Sequence, residues 1–351
     1  MTSAADGPVS GRAAMRCRSG GRPFTRRTVL GLMAAASAAR TAQGQEKDSV
    51  RRVGVLVPYT ETTILGEDVV GVLRTELKER GWIDGKNLQI NARGRLGDAA
   101  RIRIEAQTLA KWAPDVIFCA NAILLAAVRR ETDTIPIVFV QVADPAGQKF
   151  VASLEHPGGN VTGVANYDFS MAAKWLNVLR DVSPGLRRVA LIYNLESALA
   201  NPFFVRSFGE AGRNLKIDVD TGSSISDADI KDKLAALSQQ PGGGFVVLPE
   251  PFSTRYRQQI IAQAVKNKVP GVYPFRHFAV AGGLCSYGVN VTQAYKEGAE
   301  YIARILSGAT PAELPVSHPE KFELVINLKA AEAIDLAIPA SVLARADEVI
   351  R

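Results

Sequence analysis

Ile135-Pro136-Ile137-Val138-Phe139-Val140-Gln141-Val142-Ala143-Asp144-Pro145 reads as a β-strand that delivers a carboxylate to its end. Residues 137–140 are all apolar and mostly β-branched, the pattern of a strand covered on both faces, as in a parallel sheet. Pro145 lacks an N–H and presets φ, so it can start a helix; Asp144 can cap that helix or line a cleft. Outward from this run the same unit recurs. Strands are predicted at 53–57, 88–91, 116–119, 137–140 and 161–164, with helical-period segments at 68–80 and 98–112. After residue 165 a second series follows, with strands at 189–193, 217–219, 245–248, 271–273, 284–287 and 322–326 and helices at 171–181, 203–215, 227–237, 255–267 and 292–306. Asp98 and Thr292 are placed as N-caps of their helices. This alternation predicts an α/β fold made of two similar doubly wound halves, which bind ligands at the carboxyl ends of their strands, in the crevice between them.

The first 44 residues hold seven arginines and one acidic residue. Within them Thr25-Arg26-Arg27-Thr28-Val29-Leu30 leads into an apolar stretch, 29–39, and Ala42-Gln43-Gly44 supplies small residues for a peptidase. The pattern predicts a twin-arginine signal peptide over 1–44, removed after Gly44, because the stretch is shorter than the ~20 residues a membrane span needs. Cys17 precedes the apolar stretch, so it is not placed to accept a lipid anchor. The expected location is periplasmic. The net charge of +7, from 42 Lys+Arg against 35 Asp+Glu, falls to 35 against 34 without this leader. No nucleic-acid partner is expected of such a balance, since phosphate binders carry their positive charge on the folded domain. The 307 residues after Gly44 exceed what one core serves, so two lobes are expected.

Cys119 and Cys285 sit in apolar runs, where a buried free thiol is the expected state and a disulfide is the alternative open to an exported chain. His156, His277 and His318 are far apart, without metal-site spacing, and no metal or cofactor is expected. The turn His156-Pro157-Gly158-Gly159 is not a dinucleotide fingerprint, because no GxGxxG follows the first strand.

Polar residues gather at the strand ends. Pro58-Tyr59-Thr60-Glu61-Thr62-Thr63 is a hydroxyl-rich loop before a helix; Thr60, Thr62, the backbone N–H groups and the helix dipole suit an anionic ligand group, or cap the helix alone. Asn121 brings two donors and an acceptor to the third strand's end, for a ligand or for a turn. Asn194 ends a strand of the second half. Glu250, stiffened between Pro249 and Pro251, can accept from an ammonium or stand as a solvated loop carboxylate. In Tyr273-Pro274-Phe275-Arg276-His277-Phe278, Arg276 suits a carboxylate clamp while the phenylalanines suit the core. Tyr287 and Asn290 follow the Gly282-Gly283 turn and are placed at a hinge.

Several of these stretches together resemble a known family: Ile137-Val138-Phe139-Val140 through Asp144-Pro145, Pro157-Gly158-Gly159-Asn160-Val161-Thr162-Gly163, Lys174-Trp175-Leu176, Leu248-Pro249-Glu250-Pro251-Phe252 and Phe322-Glu323-Leu324-Val325-Ile326-Asn327-Leu328-Lys329. They look like the ABC-transporter substrate-binding proteins related to tryptophan- and tyrosine-type binding proteins. The resemblance implies a type I periplasmic-binding-protein fold, two Rossmann-like lobes joined by a three-strand hinge that close around a small solute. It implies one lobe over 45–165 with about 286–310, and another over 166–285 with about 311–351. It places the 59–63 loop, Asn121, Asp144, Asn166, Asn194 and Glu250 in the cleft, with Arg276 and Tyr287 nearby. Glu250 stands where the family motif leads us to expect aspartate, which keeps the charge and lengthens the reach.

The function so implied is non-enzymatic: capture of a small polar, amino-acid-like or carboxylate metabolite by a monomer that delivers it to an ABC permease in the inner membrane. A ligand-sensing protein read by a signalling receptor is an alternative. An exported Rossmann-type enzyme is another, against which stand the absent glycine fingerprint and the lack of a Ser-His-Asp order in suitable context.

Overall fold

The computed structural model describes residues 50–58, 68–94, 99–319 and 321–351. The predicted signal peptide, Thr60, Thr62 and Asp98 lie outside the described residues. In chain order the first half comprises β1 (Arg51–Leu56), α1 (Val69–Glu79), β2 (Leu88–Arg93), α2 (Ala99–Lys111), β3 (Val116–Cys119), α3 (Ala122–Arg129), β4 (Ile137–Val142) and β5 (Val161–Ala165). The five strands form one parallel sheet in the order β2-β1-β3-β4-β5. The second half comprises α4 (Met171–Val182), β6 (Arg188–Ile192), α5 (Asn201–Leu215), β7 (Asp218–Asp220), α6 (Asp227–Ser238), β8 (Gly243–Val247), α7 (Pro251–Arg255), α8 (Arg257–Lys266), β9 (Gly271–Tyr273), α9 (Arg276–Val280) and β10 (Cys285–Gly288). The chain then forms α10 (Val291–Leu306), β11 (Glu323–Asn327), α11 (Leu328–Ala333), α12 (Ala340–Leu343) and β12 (Glu348–Ile350). The second sheet runs β12-β11-β10-β9-β8-β6-β7. This is the two-lobed type I periplasmic-binding fold.

α10 belongs with the first sheet, packed on β3, β4 and β5 and beside α1. Gly298 allows that approach: a Cβ there would stand 2.9 Å from the Phe118 ring and 3.0 Å from Val140. Because the chain leaves the second sheet after β10, visits the first and comes back, β11 re-enters from the opposite end and pairs antiparallel with β10. β10 lies whole in the second sheet. The core follows this layout. One apolar cluster (Ile117, Phe139, Leu109, Leu125) fills the face of the first sheet under α2 and α3. A larger one runs from the α1 and α10 face through Tyr167 and Trp175 into the second sheet.

Three crossings join the sheets, at 166–170, at 289–290 and a third that ends at 321–322. Tyr167, 0 % exposed, ties them. Its hydroxyl donates to the Pro274 carbonyl at 2.7 Å and accepts from Val289 N–H at 3.3 Å. Its ring stacks on Phe322, with centroids 6.0 Å apart, and meets Trp175 edge-on at 5.3 Å. Asn290 Nδ2 adds a bond from the second crossing to Glu323 Oε1 at 3.1 Å, where the third crossing ends. Gly288 is required beside this knot, since a Cβ would collide with the Pro274 carbonyl and the Tyr167 hydroxyl.

Local differences from the sequence expectations have local causes. The helix expected from Thr292 begins at Val291, because Asn290 is the cap: its Oδ1 accepts from Gln293 N–H at 3.0 Å. The helix expected over 255–267 is α8, and a short helix not expected from the sequence, α7, precedes it and meets it at Tyr256. β12 is a three-residue edge strand, too short to give a periodic signal.

Tyr167→Phe keeps the ring packing and leaves the Pro274 carbonyl and Val289 N–H unpaired. Chemical denaturation should show a loss of about 1–3 kcal/mol. An unchanged midpoint would mean the hydroxyl contributes nothing to joining the lobes.

Candidate functional site

A narrow crevice of about 40 Å³ opens at the carboxyl ends of both sheets. One wall is Asn121, Ala122 and Ile123 from the β3–α3 junction, Gln141 from β4 with Ala143 just after it, and Asn166 from the first crossing. The facing wall is Ser197, Ala198, Ala200 and Phe204 from the β6–α5 connection and α5, with Pro249 and Pro251 around the start of α7. Both walls stand where parallel strands end and helices begin, the usual ligand position in such sheets.

On the first wall, structural hydrogen bonds fix which half of each amide is left for a ligand. Asn121 caps α3, its Oδ1 accepting from Leu124 N–H at 3.0 Å, which leaves the Nδ2 donors. Asn166, 4 % exposed, accepts from Tyr167 N–H at 2.8 Å through Oδ1 and likewise keeps its Nδ2 donors. Gln141 was not singled out from the sequence, although a polar residue interrupting an apolar strand near its end was a usable signal. Its Nε2 donates to Tyr295 Oη at 2.5 Å.

The second wall is mostly apolar, and a carboxyl lies between two of its residues, Pro249 and Pro251. Glu250, 5 % exposed, caps α7: Oε1 accepts from Asn194 N–H and Ser253 N–H, each at 3.2 Å, and from the Ser253 hydroxyl at 2.7 Å. Its Oε2 is buried and has no hydrogen-bond partner among the described residues, as have Ser197 Oγ, Asn201 Oδ1 and Ser224 Oγ. Burial pushes the Glu250 carboxyl up to about 7, with the Ser253 and Asn194 bonds pulling the other way. Asn194 organises the group. Its N–H holds Glu250, its carbonyl accepts from Asn201 Nδ2 at 2.6 Å, and its Oδ1 accepts from Glu196 N–H at 2.9 Å.

Other residues singled out in the sequence are placed elsewhere. Asp144 is not on the crevice wall: Oδ1 accepts from Gly147 N–H at 2.9 Å and caps the turn after Pro145, and its own N–H donates to the Tyr167 carbonyl at 2.9 Å. Arg276 does not line the crevice: its guanidinium donates to both Glu348 carboxylate oxygens, at 2.6 and 2.7 Å, on β12. Tyr287 lies at the crossings, its carbonyl accepting from Trp175 Nε1 at 2.7 Å and its ring against Phe322. Cys119 and Cys285 are free, buried thiols on strands of different sheets. His277 packs between Phe275 and Phe278, and burial holds it near 4, neutral at ordinary pH. Among the described residues no helix is long and apolar enough to cross a membrane.

The profile of the family described as "ABC transporter substrate binding protein" matches residues 52–350. A protein named "Tyrosine-binding protein" from Clostridioides difficile (strain R20291) is 23% identical over 266 residues, 74% of this chain and 74% of that one. Among solved structures, a conserved domain protein from Vibrio cholerae is 27% identical with a TM-score of 0.78, covering 86% of this chain and 100% of its own. A Streptococcus pneumoniae ABC domain in complex with L-Trp shares the fold, at 22% identity and a TM-score of 0.77, with the same coverage of 86% and 100%.

The buried carboxyl makes stability depend on pH. Folding raises the Glu250 pKa from 4.5 to about 7, so the folded state holds the proton more tightly than the unfolded chain. That stabilisation is complete below about pH 4.5, falls as pH rises and is gone above about pH 7, a change on the order of 3 kcal/mol. Glu250→Gln should therefore raise Tm by a few degrees at about pH 8 and change it little at about pH 4.5. A Tm difference that does not vary with pH would contradict this placement of the carboxyl.

Proposed function

The chain belongs to the ABC transporter substrate-binding protein family, and from that premise we propose that it captures a small amino-acid-like metabolite between its lobes and delivers it to an ABC permease. The observation that carries this reading is the pairing of amide donors on the first wall with a buried, unpaired carboxyl oxygen at Glu250, between two residues of the second. Amide donors of Asn121 and Asn166 face the acceptor end of a guest, and unpaired oxygens around Glu250 face its protonated amine. Between them Ile123, Phe204, Pro249 and Pro251 offer apolar surface for a side chain. A relative named for tyrosine binding and a similarly folded protein solved with L-Trp support an aromatic amino acid as the first guest to test.

The closing bodies are the first sheet with α10 and the second sheet with its own helices, hinged at the three crossings. The Asn121 and Asn166 donors and the Glu250 carboxyl belong to different lobes, so a guest held by both requires closure. The protein works as an exported monomer without a cofactor, and Glu250 serves binding, not catalysis. Asp144 and Arg276, engaged elsewhere, are left out of the contact set.

Calorimetry against L-tryptophan, L-tyrosine and L-phenylalanine should find a ligand among them, together with a ligand-dependent rise in Tm. Binding of an amine requires ionised Glu250, so affinity should weaken about tenfold for each pH unit below the titration point near 7. Equal affinity at about pH 5.5 and about pH 8 would remove Glu250 as the amine's partner. Failure of every amino acid to bind, with turnover of some substrate instead, would overturn the proposed function.

A further inference from the structure

β4 changes face within its own length. Ile137, Phe139 and Val142 lie in the cluster under α2 and α3, whereas Val138, Val140 and Ala143 lie in the cluster on the α10 side. Strict alternation would put residues 137, 139 and 141 on one face. Parity is broken by a bulge: the register with β5 pairs Val140 with Val164 and Val142 with Ala165, and Gln141 is the extra residue. Gln141 is also one of the non-glycine residues with positive φ, at 54°. A side chain in that region is disfavoured, and glycine would fit there without strain. Such a conformation held at the edge of a crevice calls for a reason in the side chain itself.

The bulge releases Gln141 from the α3-side core and sets it on the crevice wall, where Nε2 is engaged by Tyr295 Oη on α10. Tyr295 is itself buried, with its ring edge-on to Phe118 at 6.4 Å, so the amide is anchored to a rigid neighbour. The outcome differs from that at Asn121 and Asn166. Those residues have their oxygens engaged and keep donors, while Gln141 has its nitrogen engaged and keeps Oε1, an acceptor. An acceptor on the donor-bearing wall is mismatched to a carboxylate and suited to a separate N–H or O–H.

We propose that Gln141 is a specificity-determining ligand contact, its carbonyl accepting from a donor on the guest's side chain, such as an indole N–H or a phenol O–H, with Tyr295 as the positioning residue. This rests on the amino-acid-like guest proposed above and narrows it to side chains that carry a hydrogen-bond donor. It separates L-tryptophan and L-tyrosine from L-phenylalanine, which has none.

The test is calorimetry of the wild type, Gln141→Gly and Tyr295→Phe against those three amino acids, with apo-protein Tm measured alongside. Wild type should prefer the better of L-tryptophan and L-tyrosine over L-phenylalanine by about tenfold or more, the value of one buried hydrogen bond. Gln141→Gly should lose most of that preference while its Tm is unchanged or higher, because glycine relieves the positive φ. Tyr295→Phe should reduce the preference by a smaller factor. If wild type binds with the preference and Gln141→Gly retains it, this inference falls and the proposed function stands. A wild type that binds all three equally, or a Gln141→Gly variant whose apo Tm falls, also overturns it, since Gln141 would then serve the bulge alone. If wild type binds none of the three but binds another amino acid, this inference falls and the proposed function stands.

Discussion

The hydroxyl of Tyr167 is the point on which the two-lobed arrangement turns. Two sheets with their own helices could pack in many relative positions if connected only by three extended segments. One buried phenol reduces that freedom by bonding to the Pro274 carbonyl and the Val289 N–H while its ring stacks on Phe322. The first crossing supplies the side chain, the second supplies a donor and the third supplies a stacking surface. Gly288 and Trp175 fit around it, the first by having no Cβ and the second by donating to the Tyr287 carbonyl. Asn166, the residue before Tyr167, carries this geometry into the crevice, because the same backbone N–H that positions Tyr167 also orients the Asn166 amide.

The crevice illustrates how structural hydrogen bonds set binding chemistry. An isolated asparagine is both donor and acceptor and recognises nothing in particular. Capping α3 consumes the oxygen of Asn121, and the turn into the first crossing consumes that of Asn166, so what remains is directional. Across the gap, Glu250 uses one oxygen to cap α7 and to hold the loop after β6, and the other is buried without a partner. Leaving a carboxylate oxygen in that state is costly in the empty protein. A bound amine would offset the cost, so the destabilising feature of the apo site becomes a source of affinity. The same logic places strain at Gln141, where the backbone departs from the regular strand beside the crevice.

Much of the fold was legible in the chain. β3 and β9 fall on the predicted residues, and most other strands within one or two positions, because strands buried on both faces write themselves as unbroken apolar runs. The site was legible in part. Asn121 and Asn166, placed at a strand end or by family likeness, line the crevice, and Glu250 falls between Pro249 and Pro251, which line it too. The pairing of Arg276 with Glu348 has no local signal, because that partner is 72 residues away on an edge strand too short to predict. Asp144 was ambiguous between cap and contact, and the turn after Pro145 decided for the cap.

The sequence by itself determined the alternation of strands and helices, the division into two series and the stock of polar residues at the strand ends, since these are local properties of periodicity and turn chemistry. Only the tertiary structure decided which of those residues meet, which half of each amide remains free, and that Gln141 turns from the core to the crevice. Those outcomes depend on bonds between residues far apart in the chain, such as Gln141 to Tyr295 and Tyr167 to Pro274, and no local pattern encodes a partner more than a hundred positions away.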